Sequence, residues 1–218
     1  MKKHQLDHIL RAAGDITGQK QFVIVGSQAL HGKYPNLADD IVKSAEVDLF
    51  APRQPDATEL LNEIGVDSPF HVTYGFYADP VDEGTAVLPK GWKGRLVNLP
   101  AGDTGGVRGL CLEPHDLAIS KYVASRKDSI FTQELARRGL VDREKLLALV
   151  GQTPISAEVK ERVRADIASD FASSDKKTLL PLTRSRVASP TASDPTLADQ
   201  VRAAPGAGYP MRVWRVGR

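Results

Sequence analysis

Residues 21–52, QFVIVGSQALHGKYPNLADDIVKSAEVDLFAP, contain an apolar strand, a Gly-Ser turn and a second strand with two carboxylates. The first run, QFVIV, is almost entirely apolar and β-branched, a pattern typical of strands covered on both faces. Side chains alternate along the second strand, AEVDLF, so Glu46 and Asp48 should project together while Val47 and Leu49 face the core. The segment therefore predicts an α/β fold with an acidic pair on one sheet face.

Two carboxylates held this close to each other need an explanation. Like charges repel, and the arrangement is costly unless water or a divalent metal offsets the repulsion. Mg²⁺ is a hard ion that binds through carboxylates together with substrate phosphates, and it suits Glu46 and Asp48 as ligands. An edge strand whose outer face is exposed to solvent could also carry Glu46 and Asp48 without a metal. The pair alone leaves both interpretations open.

Gly26 and Ser27 lie where the first strand should turn into a helix. Glycine lets a phosphate approach the backbone, and serine can donate a hydrogen bond. A helix start adds free N–H groups and the positive end of the helix dipole. An ordinary turn with a capping serine would look the same, but the Gly-Ser pair followed by an E-x-D strand indicates a site for phosphates and a metal.

The other segments of the first 110 residues continue the mixed pattern. Apolar spacing predicts an amphipathic helix that ends near Gly18, and a second helix at DATELLNEIG (56–65). FHVTYGFY (70–77) and GRLVNL (94–99) are predicted as further strands. From residue 113 the period is helical, with helices that begin near Asp142 and at Thr153-Pro154. We therefore expect an α/β core over 1–110 and a helical region over 111–172 that packs on it.

Residues 173–218 differ in composition from the rest of the chain. They contain eight Lys or Arg against three Asp, and they are rich in Pro, Ala, Ser and Thr without sustained periodicity. This composition predicts a disordered basic tail. Its last residues, MRVWRVGR, mix basic and aromatic side chains that can contact RNA, although a solvated tail without a partner is the alternative.

Composition also excludes several classes of protein. No apolar run approaches the roughly 18 residues of a membrane span, so no membrane contact is expected. The first residues, MKKHQLDHILRAAGD, lack the apolar segment of a secretory signal, so we expect a cytoplasmic location. Cys111 is the only cysteine, which excludes an intramolecular disulfide and a zinc site built on several thiolates.

The combination of Gly26-Ser27 with Glu46-Val47-Asp48 resembles the nucleotidyltransferase superfamily, which includes polymerase-beta-like enzymes and antibiotic-modifying transferases. KSAEVDLF (43–50) and HDLAISKYVASRKD (115–128) are similar to segments of the AbiEii-type toxin nucleotidyltransferases. The segments GFYADPV, LPKGW and DLAISK are similar to short motifs of one bacterial branch of this superfamily. The resemblance spans roughly residues 20 to 150. It implies a nucleotidyltransferase-like mixed sheet flanked by helices and followed by a C-terminal helical layer.

The resemblance implies a role for each residue of the first motif. Glu46 and Asp48 would be catalytic ligands of Mg²⁺ or Mn²⁺, and this ion would bridge the phosphates of a nucleoside triphosphate. Gly26 and Ser27 would hold the terminal phosphates while pyrophosphate leaves. Glu46 stands where most relatives have aspartate, and the interval from Ser27 to Glu46 is long for the superfamily.

Residues further along the chain complete the implied site. Lys121 would contact the triphosphate, and Asp128, two turns along the same predicted helix face, would support catalysis. Active relatives have a third carboxylate on a later strand, where RLVNL offers only Asn98. Asp79 and Asp82 are the candidates to replace it, and its absence is the third possibility.

These patterns lead to one main functional hypothesis and two alternatives. The main one is Mg²⁺-dependent transfer of a nucleoside monophosphate to tRNA, to another RNA end or to a protein hydroxyl, by the toxin of a toxin-antitoxin or phage-defence pair with a cognate antitoxin. One alternative is an inactive relative that binds a nucleotide, RNA or a partner protein. The other is modification of a small molecule of the antibiotic type.

Overall fold

The computed structural model describes residues 1–37, 41–124 and 129–178, with the backbone alone for Ser129 and for 173–178. The predicted catalytic residue Asp128 lies outside the described residues. So do the residues after 178, for which the prediction of a disordered tail stays a prediction.

The described residues form a five-stranded mixed sheet in the spatial order β3-β2-β1-β5-β4. The strands are β1 (Gln21–Ile24), β2 (Glu46–Phe50), β3 (Tyr77–Pro80), β4 (Val97–Asn98) and β5 (Arg108–Cys111). β1 is parallel to β5 and antiparallel to β2, whereas β2 and β3 are parallel. β4 pairs antiparallel with β5.

Helices flank this sheet and dominate the second half of the described chain. The α-helices are α1 (Lys3–Thr17), α2 (Pro55–Glu59), α3 (Pro69–Tyr74), α4 (Pro114–Ala124), α5 (Ser129–Arg137), α6 (Arg143–Gln152) and α7 (Ala157–Thr178). Short 3-10 helices span Ser27–Gly32, Leu60–Ile64, Glu83–Thr85 and Trp92–Arg95. The predicted fold class, a mixed α/β sheet with flanking helices and a C-terminal helical layer, is confirmed.

α1 covers one face of the sheet and leaves the acidic strand positions on the other. It ends as predicted, with Gly18 in the left-handed conformation at φ 69°. A Cβ on Gly109 of β5 would lie 3.0 Å from Leu10 of α1 and 3.2 Å from Ile24 of β1, so this face is closely packed. Ile24 pairs with Leu49 of β2 on the same face. Because side chains alternate along β2, Asp48 faces away from α1.

The prediction of a strand at 70–77 is wrong over most of that segment. Residues 69–74 form α3, and β3 begins only at Tyr77. Ser68 caps α3 by accepting a hydrogen bond from the His71 amide, and Pro69 occupies the first helical position. The alternating aromatic residues, which suggested a strand, instead pack as a cluster with the ring of His8.

Other differences concern short elements. The predicted strand at 94–99 is reduced to the two residues of β4, and the predicted helix at 56–65 divides into α2 and the 3-10 helix Leu60–Ile64. Strand β5, which lies between β1 and β4, was not predicted, because RGLC is short and contains Gly109, which weakens strand propensity. Long-range pairing with β1 supplies the stability that this segment lacks by itself.

The C-terminal helices lie in the segments where helical periodicity predicts them, but some of their ends differ from the prediction. Asp142 caps α6 as expected, accepting from the Lys145 amide at 2.9 Å. The predicted helix start at Thr153 is wrong, because Thr153 is the residue that follows α6 and α7 begins only at Ala157. Ser156, just before α7, accepts a hydrogen bond from the Val159 amide through its hydroxyl. α7 continues to Thr178, beyond the boundary expected at residue 172. No helix within the described ranges has the length and apolarity to cross a membrane.

Candidate active site

The register between β2 and β3 brings acidic side chains together. The strands are parallel, with Asp48 paired to Asp79 and Glu46 paired to Tyr77. Paired residues of neighbouring strands project to the same face, so all four side chains lie on the sheet face opposite α1. The Tyr77 hydroxyl donates to Glu46 Oε2 at 3.2 Å. Asp79, one of the two candidates for the third carboxylate, is thus the neighbour of Asp48.

The environment of Asp48 disfavours its ionised form. Burial is the main reason that the pKa of Asp48 rises to about 6, and the neighbouring charge of Asp79 is the second. Glu46 adds a smaller increase, and the Asp48 carboxyl also shares a hydrogen bond with Asp79. Lys121 acts in the opposite direction and lowers the pKa of Asp48. The four groups are therefore close enough to interact electrostatically.

Gly26 makes room for the Asp48 carboxylate. A Cβ on Gly26 would overlap an Asp48 carboxylate oxygen and would lie 2.7 Å from its Cγ. The Val25 amide also donates to the Asp48 carbonyl at 3.0 Å, which aligns the end of β1 with β2. The backbone at Gly26 and the Asp48 carboxylate are therefore adjacent, as a binding site for a metal-bound phosphate requires.

The helix predicted after the Gly-Ser turn is a 3-10 helix of six residues that begins at Ser27. The Ser27 side chain is partly buried, and Gly26 is the residue before this helix. A helix this short aligns few peptide dipoles, so the expected positive end of a long helix is weaker here. Any contribution of Ser27 to phosphate binding must come from its hydroxyl and from local N–H groups.

A cavity of about 250 Å³ joins the Gly-Ser turn, β2 and α4. Gly26 and Asp48 line it on one side, and Lys121 of α4 lines it on another. The lining residues are Val25, Gly26, Asp48, Thr85, Ala86, Val87, Ser120, Lys121, Val123 and Ala124. Three residues that are distant in sequence and were assigned to the site from the resemblance thus meet at one cavity.

Residues 85–87 form a wall of the cavity that the sequence analysis did not identify. They are the last residue of the 3-10 helix Glu83–Thr85 and the two residues after it, and Val87 is 40% exposed despite its apolar side chain. An exposed valine two residues after a turn gives no chemical signal in the sequence. Only its position opposite Asp48 and Lys121 shows that it borders the site.

Asp82, the other candidate for the third carboxylate, does not line this cavity and begins a turn instead. Its backbone carbonyl accepts from the Thr85 amide at 3.0 Å, and its own amide donates to the Thr85 hydroxyl at 3.1 Å. Asp82 also lines a separate small cavity with Phe50 and Pro55. Of the two aspartates in residues 79–82, Asp79 therefore lies beside Asp48, whereas Asp82 begins a turn.

The oxygen ligands fit a Mg²⁺ site that substrate phosphates would complete. Among the described residues, no group of three or more acidic, histidine or cysteine side chains is arranged to hold a metal by itself. Asp48 and Asp79, however, form a repelling carboxylate pair, and a cation would relieve that repulsion. Mg²⁺ is usually held by one or two carboxylates and phosphates. Metal binding by Glu46 and by Asp48 stays a prediction, and the Glu46 side chain also bonds Tyr77.

We expect Mg²⁺ affinity to depend on pH around the pKa of Asp48. Below pH 6, a proton on Asp48 competes with the metal, so the apparent affinity should fall by up to roughly tenfold per pH unit. Isothermal calorimetry with MgCl₂ from pH 5 to pH 8 measures this. Equal affinity across that range would contradict the assignment of Asp48 as a ligand.

Comparison with known proteins identifies a family for this chain. Residues 4–178 match the family model described as "Nucleotidyltransferase of unknown function (DUF6036)". The match includes the sheet, the acidic strands and helices α1 to α7. Neither a curated protein nor a solved structure matches the chain.

Proposed function

This chain belongs to the nucleotidyltransferase family that its residues 4–178 match, and from that membership we propose that it is a Mg²⁺-dependent transferase. Its proposed reaction moves a nucleoside monophosphate from a nucleoside triphosphate to an RNA end, including that of tRNA, or to a protein hydroxyl. The proposed context is a toxin-antitoxin or phage-defence pair, to which the AbiEii-like segments point. The observation that carries the proposal is the meeting of Asp48, Gly26 and Lys121 at one cavity, with Asp79 beside Asp48.

Each of these residues has a distinct part in the proposed reaction. Asp48 and Asp79 would hold Mg²⁺, which when bound neutralises charge on the phosphates and on the departing pyrophosphate. Gly26 leaves room for the Asp48 carboxylate at the cavity, and the Lys121 ammonium, which lines the same cavity, would add positive charge near the phosphates. The Asp79 side chain is exposed, so it can also reach the acceptor hydroxyl and take its proton.

The bond changes in the proposed transfer balance without a further reactant. The acceptor oxygen bonds to the α-phosphorus as the bond from that phosphorus to the bridging oxygen of the β-phosphate breaks. The hydroxyl proton passes to a carboxylate or to solvent, and pyrophosphate leaves. Positioning and charge stabilisation account for most of the catalysis in reactions of this type.

The apolar part of the cavity gives the nucleoside a surface to pack on. Ala86 and Val87 lie on one side, and Val123 and Ala124 lie at the end of α4. Aliphatic side chains can pack on a base or a ribose without selecting one base by hydrogen bonds. We therefore propose that the cavity itself discriminates weakly among the four nucleoside triphosphates.

The direct test is transfer by the purified full chain. Each of the four α-³²P-labelled triphosphates is incubated with Mg²⁺ or Mn²⁺ and with either total RNA or cell lysate as the acceptor. Labelled RNA or labelled protein, lost when EDTA is added, is the expected result. Absence of label with all four triphosphates and both metals would contradict the proposal.

The alternative of an inactive binding module rested on the missing third carboxylate. Asp79 occupies the strand next to Asp48, and this position supports the active enzyme over the inactive relative. Calorimetry separates the two, because a binder would retain triphosphate affinity without Mg²⁺ and in the Asp48→Asn variant. The small-molecule acceptor remains an outcome of the transfer assay, read as labelled product that is neither RNA nor protein.

Asp79→Asn should lower transfer by roughly 100-fold or more, whereas Asp82→Asn should leave it within about twofold. Asp79 neighbours the proposed metal, while Asp82 begins a turn through its backbone groups. Asp79→Asn should also lower the pKa of Asp48, because the neighbouring carboxylate helps to raise it. Transfer rates and the carboxyl pKa measured by NMR check both results. A large loss in Asp82→Asn with normal activity in Asp79→Asn would reverse the assignment.

A further inference from the structure

Arg162 of α7 contacts the helix that carries Lys121. Its Nη1 donates to the Tyr122 carbonyl at 3.1 Å, and its Nη2 donates to the Val123 carbonyl at 3.2 Å. Both residues belong to α4 and directly follow Lys121 in the chain. The guanidinium fork of Arg162 thus joins α7 to the backbone of α4 beside Lys121.

A second contact from α7 holds the same part of α4. The Tyr122 hydroxyl, which is buried, donates to Asp170 Oδ2 at 2.9 Å. Thr132 of α5 donates to the same oxygen at 2.9 Å, so α4, α5 and α7 meet at this carboxylate. Tyr122 is therefore held through its backbone by Arg162 and through its side chain by Asp170.

The part of α4 that Arg162 and Asp170 contact also forms a wall of the cavity. Lys121 precedes Tyr122, and Lys121, Val123 and Ala124 all line the cavity that contains Asp48. Because Arg162 fixes the backbone at Tyr122 and Val123, it also fixes the backbone from which the neighbouring Lys121 side chain projects.

We propose that Arg162 is a positioning residue for Lys121, holding the backbone of Tyr122 and Val123 so that the lysine ammonium stays directed at the bound phosphates. This inference rests on the proposed function, because it assigns Lys121 to the triphosphate. It adds a residue of α7 to a site that is otherwise built from the sheet, residues 85–87 and α4.

The test uses Mg²⁺ with inorganic tripolyphosphate, a probe that presents phosphates without a base. Calorimetry on the full chain compares the wild type with Arg162→Met, Lys121→Met and the double variant. Arg162→Met keeps an unbranched apolar stem and removes the donors. We expect each single variant to weaken binding by roughly tenfold, and the double variant to bind no more weakly than Lys121→Met alone, since the two residues act as one unit.

Two further variants separate positioning from general destabilisation. Arg164→Met removes an arginine of the same helix that pairs with Glu161, and it should leave binding within about twofold. Arg162→Lys keeps a donor for one carbonyl and should recover part of the affinity. Melting temperatures of all variants show whether each one is folded at the temperature of the measurement.

The outcomes distinguish this inference from the function on which it rests. Normal binding in Arg162→Met, or an equal further loss in the Lys121→Met background, would overturn the positioning role while leaving the transferase proposal intact. Normal binding in Lys121→Met would also overturn it. If the wild type itself does not bind Mg²⁺ with tripolyphosphate, the inference falls together with the proposed function.

Discussion

Replacing Asp48 by asparagine is expected to lower nucleotidyl transfer by about 1000-fold or more while the fold is kept. A bound metal stabilises the transition state by several kcal/mol, and each 1.36 kcal/mol corresponds to a tenfold change in rate. Asparagine keeps the shape of the side chain but removes the charge that holds the cation. Transfer of the labelled nucleotide with saturating Mg²⁺ measures the loss, and activity above a tenth of the wild-type rate would contradict the role.

The same variant should be more stable than the wild type at neutral pH. The pKa of Asp48 in the folded chain, about 6, lies above its ordinary value of 3.8. As pH rises, the unfolded chain therefore loses this proton first, so the free energy of unfolding falls between about pH 4 and pH 6 and then levels off. At pH 8 the ionised carboxylate costs on the order of 2 to 3 kcal/mol, which asparagine avoids.

Thermal unfolding without metal at pH 8 and pH 5 checks this stability prediction. We expect the melting temperature of Asp48→Asn to exceed that of the wild type by several degrees at pH 8, with a smaller difference at pH 5. Mg²⁺ should raise the melting temperature of the wild type but not that of the variant. A variant that melts well below the wild type at pH 8 would show that Asp48 has a structural role.

Replacing Gly26 by alanine is expected to reduce transfer by roughly 100-fold or more, because the new methyl group would occupy the position of the Asp48 carboxylate. The carboxylate is the far end of a short side chain and can rotate, so the fold should survive. Its rotation would move a proposed metal ligand away from the phosphate site. Steady-state transfer rates and calorimetry with MgCl₂ should show this as a loss of both rate and Mg²⁺ affinity.

Gly151→Ala is the matched control for this substitution. Gly151 lies near the end of α6, and a Cβ there would have no atom within 4 Å. Alanine should therefore leave transfer unchanged and slightly stabilise the helix. If Gly26→Ala retained wild-type Mg²⁺ affinity, the close approach of the turn to Asp48 would have no functional meaning.

Local sequence patterns predicted most of the elements that build the site. The apolar run before Gly26 and the alternation around Asp48 predicted β1 and β2 within about one residue of their observed ends. The apolar spacing before Gly18 predicted α1 in the same way. These signals are local, because burial on one or both faces imposes a period on the chain itself.

The patterns failed where long-range contacts decide the conformation. The aromatic residues between 70 and 77 alternate like a strand, but Ser68 caps a helix there and the rings pack against His8. β5 carries little strand signal and is stabilised by its pairing with β1. The choice between Asp79 and Asp82 was open in the sequence, because both follow the same short run and either one could end a strand.

The sequence by itself determined the mixed α/β class, the Gly-Ser turn and the acidic alternation of β2, since each depends on neighbours along the chain. The tertiary structure alone placed Asp79 beside Asp48, brought Lys121 to the same cavity, added the wall at residues 85–87 and joined Arg162 to α4 beside Lys121. Strand order, register and helix packing set these distances. They arise from burial and hydrogen bonding between segments far apart in the chain, which no local period encodes.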